Sequence, residues 1–116
     1  MHVQVHTDNH VHIGAKKIQE IGEDLQGDLS RYGSRITGIE VFLSDENGPK
    51  GGEDKRCLIE ARVAGHSPIV ASHSAGGVDE ALDGASEKLL RGLEHTLGRL
   101  HDPKGRVTSF GGDQEI

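Results

Sequence analysis

Residues 36–64, ITGIEVFLSDENGPKGGEDKRCLIEARVA, hold two alternating runs on either side of a polar loop. In 36–45, Ile39, Val41 and Leu43 fall on one side while Glu40 and Phe42 fall on the other. In 55–64, Cys57, Ile59, Ala61 and Val63 alternate with Arg56, Leu58, Glu60 and Arg62. A period of two is that of a strand with one buried face. ENGPKGGED between the runs, rich in glycine and mixed charge, predicts a solvated hairpin loop. Such a hairpin needs another layer to cover its apolar face.

Working outward, HVQVHT (2–7) alternates and predicts a short strand with Val3 and Val5 on one face. Residues 14–32 switch period: Ile18, Ile21, Leu25, Leu29 and Tyr32 recur at three and four, the stripe of an amphipathic helix that Gly33 would stop. Gly65-His66 turns the chain into a fourth strand, SPIVASHS (67–74), where Pro68 fits only a strand start or edge. The helical period returns over 78–101 through Val78, Leu82, Ala85, Leu89, Leu93, Leu97 and Leu100. Asp79, Glu80 and Asp83 suit the positive end of that helix. Gly84, Gly92 and Gly98 either weaken it or admit a close neighbour.

The order is β-α-β-β-β-α, an α+β two-layer sandwich with a four-stranded sheet and both helices on one face. Gln4, His6, Glu40, Phe42, Arg56, Leu58, Glu60 and Arg62, with Val70 or Ser72 as further candidates, are expected on the other face, which an antiparallel sheet can leave to water. Residues 1–101 form one domain in this reading, and DPKGRVTSFGGDQEI (102–116) is a flexible tail.

Composition narrows the function classes. The chain has 116 residues, 13 Lys+Arg against 19 Asp+Glu, and a formal charge of −6, which argues against indiscriminate binding to nucleic acid or anionic membrane. No apolar run approaches the ~18 residues of a membrane span, and the N-terminus lacks a secretory pattern. The single cysteine, Cys57, allows neither an internal disulfide nor a paired-cysteine metal site, and its strand parity makes it a small buried hydrophobe. These features point to the cytoplasm. Ser72-His73-Ser74 lacks the glycines of a nucleophile elbow and Gly76-Gly77 lacks a P-loop lysine, so no enzyme and no cofactor is expected. Eight histidines include four at positions 2, 6, 10 and 12, and His10-x-His12 on an extended segment could chelate, but no Cys or carboxylate falls at a recognised ligand spacing, so no metal site is expected.

Val3-x-Val5, Asn9-His10-Val11, Tyr32 after helix one and Ile39-Glu40-Val41 stand in an order that resembles the ribosome hibernation-promoting factors, also called sigma-54 modulation proteins or ribosome-associated inhibitors. Ala81-Leu82-Asp83 with Lys88-Leu89 and Arg91 is similar to that family's second-helix pattern of alanine, aliphatic, aspartate, then lysine-leucine-x-arginine. Glu60 in strand three and Gly65 before strand four fit as well. The resemblance spans about residues 2–101 and is to the short kind, without an added dimerisation domain. It implies a fold like double-stranded-RNA-binding domains, binding of ribosomal RNA on the small subunit, and inhibition of translation under stress or in stationary phase.

On that implication the RNA-contacting residues are Lys88, Arg91 and Arg99, then Lys16, Lys17 and Arg35, and Arg62 on the open sheet face. The chain departs from the family in charge. Its second helix holds Lys88, Arg91 and Arg99 against Asp79, Glu80, Asp83, Glu87 and Glu94, so phosphate neutralisation is weakened. The alternative is a protein–protein module of the same fold that takes a basic partner on its acidic helices or open sheet face. The sequence leaves the oligomeric state open.

Overall fold

A computed structural model describes residues 2–8, 11–45 and 55–98. The elements are β1 (His2–Thr7), α1 (Ala15–Asp28), β2 (Ile36–Asp45), β3 (Lys55–Val63), β4 (Ile69–Ala75) and α2 (Val78–Leu93). A 3₁₀ turn at Ser30–Tyr32 follows α1, and a π-helical turn at Glu94–Gly98 follows α2. The α+β order β-α-β-β-β-α is as expected. The loop at 46–54, Arg99, Leu100 and the tail at 102–116 lie outside the described residues, as does the domain boundary near 101.

The sheet order is β1-β2-β3-β4, with β1 parallel to β2 and the other two pairs antiparallel. The parallel pair requires the α1 crossover, whereas the antiparallel pairs need only turns. The turn before β4 uses Gly65 at φ +71°, a conformation that side chains resist. Opposite Ile36 and Gly38 the β2–β3 register shifts, which lets Ile36 and Ile39 both face the core despite odd spacing.

That face carries Ile39, Val41 and Leu43 from β2 and Cys57, Ile59, Ala61 and Val63 from β3, all buried. Ile21 and Leu25 of α1 and Ala81, Leu82, Ala85, Leu89 and Leu93 of α2 join the same cluster, so both helices cover one side. Fully burying a Leu or Ile side chain is worth about 1.5–3 kcal/mol, and this one layer supplies the fold's main stabilisation.

Four sequence expectations need correction. Helix one ends at Asp28 and tightens into the 3₁₀ turn instead of running to Tyr32. Gly33 is not a left-handed stop, because its φ of −57° and ψ of −36° are right-handed helical. Ile18 leaves the apolar stripe and is 37% exposed, because α1 lies over β1 at the sheet's edge and has no further strand to cover. Strand four starts at Ile69, directly after Pro68, which has no N–H to give a ladder. Among the described residues no helix is long and apolar enough to cross a membrane.

Candidate nucleic-acid interface

The helices run side by side in the same direction. Lys17 near the start of α1 pairs with Asp79 near the start of α2, and Arg31 after α1 reaches Glu94 after α2 at 3.4 Å. Between them lies a groove of about 650 Å³ lined by Glu20, Glu23, Asp24, Asp28, Asp79 and Asp83, with Lys17 as its cation. The hydrogen bond that Lys17 Nζ donates to Asp79 Oδ1 holds the amine above the ordinary lysine range, so Lys17 is committed to a carboxylate.

α2 holds two of its acids apart from its cations, while Glu87 stays among them. Asp79 and Asp83 face the groove, whereas Lys88 lies on the opposite flank and its Nζ donates to the Ser72 carbonyl of β4 at 3.2 Å. Arg91, one turn on, is paired to Glu87 at 3.1 Å with both side chains about two-thirds exposed (70% and 67%). An i, i+4 pair so exposed is worth about 0.3–0.5 kcal/mol and yields readily to a better anion. Lys88 and Arg91 therefore form the accessible cationic flank. Gly84 and Gly92 bring that flank down onto β4: a Cβ on Gly84 would sit 2.1 Å from the His73 ring, and one on Gly92 would sit 3.3 Å from Ile69.

The remaining candidates do not converge there. Lys16 is exposed and has no partner among the described residues. Arg35 is half-buried in the turn just before β2, where its backbone N–H donates to Tyr32 O at 2.9 Å and its carbonyl accepts from Ala64 N at 2.8 Å. Arg62 is on the open face, its Nη2 2.9 Å from Glu40 Oε2. Glu40 Oε1 also holds His6 Nε2 at 2.8 Å, and the His6 ring stacks on Phe42 with centroids 4.8 Å apart. Arg99 lies outside the described residues.

Arg31 was not among the cations singled out by sequence, yet it links the helices and lies 5.3 Å over the Tyr32 ring. No local pattern marks it, since Glu94 is 63 positions away. The Tyr32 hydroxyl is buried without a hydrogen-bond partner among the described residues, and desolvation pushes its pKa up. Cys57 is fully buried, with its thiol pushed up to about 12 by desolvation, which makes it a poor nucleophile. Among the described residues, no group of three or more His, Cys, Asp or Glu side chains is arranged to hold a metal ion.

The family model described as "Sigma 54 modulation protein / S30EA ribosomal protein" matches residues 3–101. The chain belongs to this family. Two solved structures share the fold. A ribosomal subunit interface protein from Coxiella burnetii superposes with a TM-score of 0.66 at 19% identity, covering 84% of this chain and 99% of that one. The N-terminal domain of Thermus thermophilus Protein Y gives a TM-score of 0.66 at 18% identity, covering 82% and 98% respectively. A comparison with curated proteins returned no match. The second-helix pattern by which the chain resembles the Sigma 54 modulation protein / S30EA family divides in two. Ala81, Leu82 and Leu89 are core, whereas Asp83, Lys88 and Arg91 are surface.

Proposed function

We propose that this family member binds the small ribosomal subunit through ribosomal RNA in the cytoplasm and restrains translation under stress or in stationary phase. It does so as a non-enzymatic single domain spanning about residues 1–101. The charge separation on α2 carries the reading for this chain: Lys88 and Arg91 stand on a flank free of the groove's carboxylates. RNA phosphates would approach that flank, displacing Glu87 from Arg91 and the Ser72 carbonyl from Lys88. Lys16 and Arg99 would add peripheral contacts. The acidic groove and the Arg62–Glu40 pair would face away from the phosphates.

Co-sedimentation with small subunits at about 50 and 200 mM salt tests the proposal, because phosphate contacts lose affinity steeply over that range. Binding that weakens with salt and falls about tenfold in a folded Lys88→Ala/Arg91→Ala variant is the expected result. Salt-independent binding, or affinity unchanged in that variant, would overturn the assignment of the flank. The groove favours a second reading, a Lys/Arg-rich protein segment seated against its carboxylates. It predicts capture of a basic peptide, abolished by Asp24→Asn/Asp83→Asn, with no affinity for the subunit.

A further inference from the structure

The two edges of the sheet are finished differently. On the β4 edge Pro68 precedes the strand and Lys88 covers the Ser72 carbonyl. On the β1 edge no helix or loop of the described residues bonds to the strand's outer side. Asp8 N donates to Leu43 O of β2 at 3.1 Å, and successive strand residues turn their N–H and C=O to opposite sides. Val3, Val5 and Thr7 therefore present their backbone donors and acceptors outward.

The α1 residues that overhang this edge are uncharged in a chain that is 28% charged, and the carboxylates nearest it are Asp8 at the strand's end and Glu23, which accepts from Gln19 Nε2 at 3.1 Å. Val3 and Val5 remain half-buried, although their β2 neighbours Ile39 and Val41 are 1% and 0% exposed. Above them α1 turns one stripe outward from the acidic groove: Ala15, Ile18, Gln19, Gly22 and Gln26. Gly22 is the member nearest β1, since a Cβ there would lie 3.8 Å from Val3. Natural edges are normally blunted by lysine, proline or a covering element. β4 has the first two, and β1 among the described residues has none.

We propose that this edge pairs with a second copy of the chain, β1 antiparallel to β1 about a two-fold axis at Val5, joining two sheets into one of eight strands. The sequence is self-complementary in that register. Val5 meets Val5 of the second copy, Val3 meets Thr7, Gln4 meets His6 and His2 meets Asp8, so no like charges oppose. The three outward residues supply a continuous ladder, and the uncharged α1 stripes approach each other without repulsion. The inference is independent of RNA binding, since Lys88 and Arg91 lie at the opposite edge.

Sedimentation velocity of the full chain at increasing concentration, up to roughly 1 mM, is expected to show a reversible monomer–dimer equilibrium. Val5→Pro removes two symmetry-related central hydrogen bonds and is expected to weaken the dimer about tenfold or more. Should Val5→Pro fail to fold, Thr7→Lys at an exposed edge position reads the same contact. In the paired state the Val5 Cα atoms lie about 5.5 Å apart, within the ~4.4–6.8 Å that a disulfide spans. Mild oxidation is expected to cross-link a Val5→Cys variant but not a Val70→Cys control on β4, where Val70 is 54% exposed. A monomer at every concentration, equal cross-linking in both cysteine variants, or a dimer unaffected by the folded edge variants would each overturn the proposal.

Discussion

α2 buries Ala81, Leu82, Ala85, Leu89 and Leu93 against the sheet, whereas α1 buries only Ile21 and Leu25 over the same face. The glycines follow that division. Gly84 and Gly92 of α2 stand where His73 and Ile69 leave little or no room for a Cβ, whereas Gly27 of α1 faces open space. α2 is anchored by close fit over β3 and β4. α1 rests on an edge strand and is tied sideways by the Lys17–Asp79 and Arg31–Glu94 pairs. The helix with the accessible cations is thus the one the core holds rigidly, and the helix with most of the groove's acids is the looser one.

The largest test of that contrast is truncation. Leu89→Ala should lower unfolding free energy by about 2–5 kcal/mol, and Ile18→Ala on α1 by no more than about 0.5 kcal/mol, both read by urea denaturation. Comparable losses would show that α1 is equally anchored. The glycines should split in sign. Gly84→Ala drives a methyl into the His73 ring and should cost about 1–3 kcal/mol of stability. Gly27→Ala meets nothing and should gain up to about 1 kcal/mol by helix propensity.

Alkaline pH gives a smaller effect. Burial raises the Cys57 thiol to about 12 and also raises the Tyr32 hydroxyl. A raised folded-state pKa contributes stability that is complete below the unfolded value and lost as pH climbs through the folded one. Stability should therefore fall from about pH 8.5 upward, where unfolded thiols ionise, and Cys57→Ala should flatten that fall. The smallest effect belongs to the tie on α1. Asp79→Asn should bring the Lys17 amine, followed by NMR, back down toward the ordinary lysine range, because Asp79 is the largest cause of its elevation. The tie helps folding below that range and is lost as pH rises through the elevated value, so the variant should be less stable from neutral pH up to the lysine range, and the difference should vanish once Lys17 has lost its proton. An unshifted Lys17 would mean that the helices are not joined there.

Strands with one apolar face announced themselves in the sequence. The bounds of β1 and β2 agree with the alternation of Val3 and Val5 and of Ile39, Val41 and Leu43. Ile18 did not, because a helical stripe records which face is apolar but not where the sheet beneath it stops. Gly84 and Gly92 were readable as points of close approach, yet only the fold supplies His73 and Ile69 as what approaches. For the candidate site, residue type found the cations but not their commitments. Lys17 meets Asp79 across 62 positions, and Arg62 meets Glu40 only through strand pairing, so neither partner has a local signal.

The bond from Lys88 to the Ser72 carbonyl gives one amine two employments. While it rests on β4 it blunts a strand edge that could otherwise template aggregation. Were a phosphate to draw it away, as proposed above, that carbonyl would pass to water while the surrounding RNA screened the edge from other chains. Acetylation of Lys88 would separate the two uses, since the amide keeps one N–H for the Ser72 carbonyl but has no charge to offer a phosphate. Under the proposed function, solubility of the free protein and its grip on an anionic surface would thus meet in a single side chain.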